Sequence, residues 1–434
     1  NLTASSSGAL ATGATSVVVS DGAVTLSAKS LDASGYISSG AALDLRATDA
    51  LSLGGQTHAG GALSANASEI TLGGVTVSDS DIRLSSNGAL AASGAVSAAG
   101  ALVANAGSIT SAGAAQLVAG EALSLTSASD IINAGAASGK TANLSAGAAL
   151  ENSGTLYGAD ALNLSAKTTL TQSGTAESGK ALGIVADAVT LSGKTLGIEG
   201  VSATARTISA AGNLQSGDTL SLDASDRLNT AGSILSVGEL TATSGAGFVQ
   251  AANIILGKGA KLAAVGSFTQ NGTIEAAGTI DLSGSRVSGS GALASDTSIS
   301  IRALGAGIDL TSDISAKADI LFASSGALTL GGNIATDGLI DISASDVQLA
   351  GDVVAISGFL TRITGGVAIA KTGALRSGTG LALDVTSITN AGLIEGIGAL
   401  NLKTAADFAN LGALAGADTL TLTIGRNLSG NGTV

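Results

Sequence analysis

The chain has no cysteine, proline, methionine or tryptophan, and its 434 residues include only two tyrosines, five phenylalanines and one histidine. Lack of cysteine excludes disulfides and thiolate zinc sites. Lack of proline leaves every backbone N–H free to enter a hydrogen-bond ladder, which a strand paired on both sides requires. At this length two to four globular domains would be the ordinary expectation, since one core seldom grows past ~250–300 residues. A globular core would also recruit many aromatics, whose burial dominates core energetics. Charge is scarce as well, at 12% of residues, yet 45% are hydrophobic, which excludes a disordered chain. No uninterrupted apolar run approaches the ~18–20 residues of a membrane-spanning helix, so no transmembrane segment is expected. The net charge of −13 opposes nucleic-acid binding, which depends on neutralising phosphates.

What is present is a repeat. Two apolar residues flanking one other residue recur from Val24, Leu43, Leu63, Ile82, Leu102 and Leu123 through Ala142, Leu162, Leu182, Val201, Leu220 and Leu240. The series continues at Leu262, Ile280, Ile299, Ile320, Ile340, Leu360, Leu381, Leu400 and Leu420, with a mean period of about 20 residues and intervals of 18 to 22. About eight residues on comes a second anchor, such as Leu31, Ile70, Leu150, Leu228, Phe248, Phe268 or Phe408. About six further comes a third, such as Ile37, Val75, Val96, Leu156, Ile274, Ile334 or Leu393. Alternation of period two, as in Leu43-Asp44-Leu45 and Ile340-Asp341-Ile342, marks these segments as strands.

Glycine recurs about four residues past the second anchor, at Gly35, Gly94, Gly135, Gly154, Gly174, Gly193, Gly212, Gly232 and onward. Glycine tolerates positive φ, so these positions are expected to be corners. Asn133, Asn152, Asn390 and Asn410, each two residues before such a glycine, are assigned to the corners too. Three strands and their corners in about 20 residues leave no room for a helix in each unit, which removes leucine-rich, ankyrin and tetratricopeptide architectures. Stacking the same strand of successive coils at ~4.8 Å gives three parallel sheets around one thin core. The expected fold is an all-β, right-handed parallel β-helix of about 22 coils and roughly 105 Å, forming one continuous domain over residues 1–434.

The units Ala122-Leu123-Ser124-Leu125-Thr126-Ser127 with Asp130-Ile131-Ile132-Asn133-Ala134-Gly135, and Ala161-Leu162-Asn163-Leu164-Ser165-Ala166 with Thr169-Leu170-Thr171-Gln172-Ser173-Gly174, carry a resemblance. They resemble the haemagglutinin repeats of filamentous-haemagglutinin-like exoproteins of the two-partner secretion family, over nearly the whole chain. The resemblance implies a right-handed β-helix exported unfolded through an outer-membrane transporter and folded outside the cell. It implies an extracellular, cell-surface shaft, serving an adhesin or the stalk of a contact-dependent toxin. Host or neighbouring-cell receptors or glycans would be met by other regions. The family's secretion domain carries Asn-Pro motifs, and this chain has no proline. With Asn1 in place of an initiator methionine and no polar cap at Val434, the expectation is a processed product or a piece of a longer shaft.

No catalytic, cofactor or metal residue is assigned. His58 lies in Gly55-Gln56-Thr57-His58-Ala59-Gly60, a corner context that favours a solvated loop over a triad or metal site. Asp79-Ser80-Asp81 reads as a solvated turn rather than a calcium site, in the absence of any Gly-Gly-x-Gly-x-Asp repeat. Arginines such as Arg46, Arg83, Arg286 and Arg362 are scattered in phase and read as solubilising. Phe248 and Phe268, 20 residues apart, read as core stacking between adjacent coils. Asn143-Leu144-Ser145 and Asn163-Leu164-Ser165 form glycosylation-type sequons on outward positions. A β-helix enzyme acting on carbohydrate needs loops to wall a cleft, and the near-constant interval supplies none. A self-assembling extracellular fibril is the other alternative, through stacking of uncapped ends.

Overall fold

The computed structural model describes all 434 residues and contains no helix; the chain is a parallel β-solenoid of about 21 turns of about 20 residues. It divides into two compact units, Asn1–Gly217 and Asp218–Val434. In each unit the strands fall into three columns, as the three anchors per repeat require, and every paired strand is parallel to its partner.

In the first unit the first column runs Leu43 beside Leu63, Leu63 beside Ile82 and Ile82 beside Leu102. The second runs Leu31 beside Leu51 and Ile70 beside Leu90, and the third Tyr36 beside Gln56 and Gln56 beside Val75. Strand Leu43–Ala47 shows the rule: Leu43, Leu45 and Ala47 are buried while Asp44 and Arg46 point out. Inward residues of all three columns meet in one narrow core of Leu, Ile, Val and Ala, which explains why large aromatics are few. The four buried phenylalanines, Phe248, Phe268, Phe322 and Phe408, all lie in the second unit. Phe248 sits beside Phe268 in the next coil, edge to face with centroids 4.9 Å apart.

Several corners carry strand pairing around the bend. Strands Ala136–Ala146 and Thr155–Ala166 each pass from the third column into the first as one continuous pair, shifting register between Gly139 and Thr141. The third and first faces are therefore joined by backbone hydrogen bonds at these corners. Serine closes other corners: the hydroxyl of buried Ser39 has the carbonyls of Gly22 and Ala42 as alternative acceptors, both at 2.9 Å, and that of Ser78 has Gly61 and Asp81 at 2.7 and 3.1 Å.

Four sequence expectations require correction. Leu262 is not the start of its strand's inward set, because Ala260 aligns with Leu240 and Ile280 and Leu262 follows two residues later. Leu360 points outward and is 49% exposed, while Phe359 takes the place beside Ile340. Val75 and Leu393 are each one residue out of phase: Thr76 and Ile394 are the buried residues. At Leu360, Val75 and Leu393 an apolar side chain stands next to the true inward position, and hydrophobicity alone picks the wrong neighbour; Leu262 is itself inward, two residues late, because alanine fills the first position.

The corner glycines are needed mainly for a different reason from positive φ. Of those expected to need it, Gly232 has it, at 90°. At Gly55, Gly74 and Gly94 a Cβ would be driven into the carbonyl oxygen of the glycine one coil back. These glycines let the coils approach at sheet spacing around a tight bend.

Candidate functional surface

The outward side chains are the only groups available for chemistry, because the interior is filled. Grooves on this surface are shallow and lie where a corner meets a sheet. One of them, about 860 Å³, is lined by Ser6, Ser27, Lys29, Asp44, Arg46 and Asn66, among others, in the first unit. Arg46 is spent on Asp44, with Nη2 to Oδ2 at 2.7 Å, a contact that raises its pKa.

The single histidine is not in a loop. His58 lies in strand Gln56–Ala59, outward, beside Ser38 in one neighbouring coil and Val77 in the other. Its Nε2 is 3.4 Å from Oδ1 of Asp79, and both side chains are substantially exposed. No metal-ligating cluster joins the pair: no group of three or more His, Cys, Asp or Glu is placed to hold a metal ion. Asp79-Ser80-Asp81 is a turn, as expected, and its carboxylates have structural partners. Asp81 Oδ1 accepts the backbone N–H of Ala101 in the next coil at 3.0 Å, and Oδ2 accepts from Arg83 at 2.8 Å. The Ala101 N–H foremost, with Arg83 assisting against partial desolvation, holds the Asp81 carboxyl below its usual pKa.

The basic residues are more ordered than their sequence phase suggested. Most pair with a carboxylate one coil away: Lys180 with Asp160 at 3.1 Å, Lys194 with Glu177 at 2.6 Å, Arg286 with Asp309 at 3.1 Å and Lys403 with Asp384 at 2.8 Å. Arg362 holds both oxygens of Asp341 at 2.8 Å. Such exposed pairs contribute little stability each, about 0–1 kcal/mol, but they engage the majority of the cations. The sequon asparagines Asn143 and Asn163 are exposed and bonded to each other, Nδ2 of Asn163 to Oδ1 of Asn143 at 2.8 Å.

One set of residues was misread from sequence. Asn133, Asn152, Asn390 and Asn410 are buried, not corner residues. Each ends a second-column strand, and their side chains stack along the core: Asn133 donates to Asn152 at 2.7 Å, Asn152 to Gln172 at 2.7 Å, and Asn390 to Asn410 at 2.9 Å. Spare N–H groups tie to corner carbonyls such as Gly135 and Ala413. The available signal was the phase itself, since each lies two residues after an inward apolar residue, Ile131, Leu150, Ile388 and Phe408.

In each unit, coils of near-constant length stacked in parallel around a filled core define a β-solenoid repeat protein. The haemagglutinin-repeat family model matches residues 19–94, 69–154, 152–215, 200–247 and 396–434. The chain therefore belongs to the haemagglutinin-repeat family and is a filamentous-haemagglutinin-like protein. No curated protein and no solved structure matches it. Residues 248–395, between the matched stretches, form coils of the same kind, as Phe268 beside Val287 and Ile320 beside Ile340 show. The family is generally structural or adhesive, which fits an adhesin-like shaft. No helix is long and apolar enough to cross a membrane.

Proposed function

We propose that the chain is the extracellular shaft of a large bacterial surface exoprotein, delivered by an outer-membrane two-partner secretion transporter. It projects a distal receptor-binding or toxin element toward another cell, and residues 1–434 act in it as one continuous repeat domain without catalytic turnover. The observation that carries this reading is uniformity: within each unit, coil after coil keeps near-constant length with no inserted loop, so length is what the chain can supply. Each coil adds about 4.8 Å of reach.

The experiment is whole-coil deletion in the parent protein on the cell surface. Removing residues 123–161 brings Leu162 into the place of Leu123, both being inward residues of the same column. Coil contacts are local, so the remainder folds. Adhesion or delivery then falls gradually as more coils are removed. Complete loss on substituting a few exposed polar residues, with folding intact, would instead reveal a discrete binding site on the shaft and overturn the reading.

A further inference from the structure

In the second unit the first column is broken once. Strand Gly358–Ile363 pairs with Leu339–Ala344 on one side, but no ladder joins it to Leu381–Val385 on the other. Leu381–Val385 instead begins a separate three-stranded sheet with Leu400–Thr404 and Leu420–Ile424. The other two columns are continuous at the same level: Gly366–Ile369 pairs with Ser387–Asn390, and Ala374–Ser377 with Leu393–Gly396.

The residues at the break explain it. Gly358 has φ +106°, a conformation that turns the strand entry away from the regular path. Phe359 and Thr361 occupy inward positions beside Ile340 and Ile342 but are only half-buried, and Leu360 is exposed. The hydroxyl of Thr361 donates to the Ala382 carbonyl at 3.2 Å, replacing a ladder bond with a side-chain one. Leu381 N–H bonds forward to Ala399, so by the alternation of parallel pairing Ala382 and Asp384 face the gap, where no ladder pairs them with the preceding strand. A groove of about 440 Å³ runs over the coils before the gap, from Ser324 and Ser343 to Thr361 and Arg362, and reaches Asp384 beyond it.

We propose that this gap is the built-in opening point of the second unit: the level at which adjacent coils separate first, held by two columns where all other interior levels of that unit have three. Local opening follows the weakest local contacts rather than global stability. The cause is the Phe359-Leu360-Thr361 segment, which departs from the Ile-Asp-Ile pattern of the coil before it.

Amide hydrogen exchange on the intact chain tests it. The amides of Ala382 and Asp384 are expected to exchange at least about tenfold faster than those of Asn401 and Lys403, which occupy the same exposed positions one coil on and face a paired strand. Under mild destabilisation a broad-specificity protease makes its first cut in the second unit, outside the terminal coil, between Ile356 and Val385. The triple variant F359I/L360D/T361I, which repeats Ile340-Asp341-Ile342, slows both exchange and cutting at the gap. Equal protection of the two amide pairs in the native protein, or a first cut elsewhere, overturns the proposal, and these two measurements decide it even if the variant does not fold. Fast exchange unchanged in a folded triple variant overturns the assignment of the gap to those three residues.

Discussion

Asn152 donates from Nδ2 to Oε1 of Gln172 one coil along, at 2.7 Å, with both side chains fully inside the core. The same nitrogen lies within 3.3 Å of the Gly154 carbonyl and 3.2 Å of the Thr175 carbonyl, so one amide serves acceptors in its own coil and the next. Replacing it with an apolar isostere strands these acceptors rather than removing a polar group from the core. Asn152→Leu is expected to lower stability by about 3 kcal/mol. Asn152→Asp, which sets a carboxylate against carbonyl oxygens, costs more, about 4 kcal/mol or above at neutral pH. Denaturant midpoints of the two variants against the native chain check the order. A Leu variant as stable as the native chain would show the amide stack to be dispensable.

Acid should weaken the corner held by Asp81. Its carboxyl is depressed by the Ala101 N–H and by Arg83, so the folded state prefers the ionised form. Its contribution is therefore complete above the unfolded-state value, about pH 4, and is lost as pH falls through the lower folded-state value. Asp81→Ala removes the contribution at every pH. Denaturant midpoints measured from pH 7 to pH 2 are expected to differ between the native chain and Asp81→Ala at neutral pH and to converge at the acid end. A constant difference across the range would show that ionisation of Asp81 plays no part.

Adjacent glycines at one corner should respond oppositely to the same change. A Cβ on Gly74 would collide with the backbone of Gly54 and Gly55, whereas one on Gly73 meets nothing closer than 3.9 Å. Gly74→Ala must push two coils apart and is expected to cost about 3 kcal/mol, in the range of backbone-clash substitutions. Gly73→Ala should be neutral or stabilising by about 0.4–1 kcal/mol, because it restricts the unfolded chain. Thermal or denaturant unfolding of the pair separates them; equal effects would mean that close approach is not what glycine supplies here.

The repeat length, the three strands per coil and the second-column anchors were legible in the sequence because burial imposes a period of two on residues that must be aliphatic. Leu31, Leu150, Leu228 and Phe268 all proved buried for that reason. Legibility failed where burial and hydrophobicity part. Asn133 and Asn152 look like turn residues by type, and only their bonds to one another make them tolerable inside. The surface pairs were illegible because their partners are about 20 residues apart and their side chains choose among neighbours in either coil, as Arg376 does between Asp352 and Glu395. The break after Gly358–Ile363 was hidden by Leu360, which kept the apparent rhythm while its strand had slipped by one residue.

The sharpest test of phase lies in Val75 and Thr76. Hydrophobicity assigns the core to Val75, yet Val75 is 45% exposed and Thr76 is 1% exposed. Thr76 stands between Thr57 and Val96 in the third column, and its Oγ1 has no hydrogen-bond partner. Valine is close to isosteric with threonine, so Thr76→Val leaves the packing unchanged while removing a buried hydroxyl that gains nothing from its surroundings. The substitution is expected to stabilise the chain by about 1 kcal/mol. Val75→Thr, on the solvated side of the same strand, should change stability by less than about 0.5 kcal/mol. Were the sequence phase correct, the signs would reverse: Val75→Thr would bury an unpaired hydroxyl and destabilise, and Thr76→Val would add one more exposed aliphatic with little effect. Denaturant unfolding of the two single variants therefore distinguishes the two registers without any further structure, and a destabilised Thr76→Val protein would mean that the third column of the first unit is turned the other way.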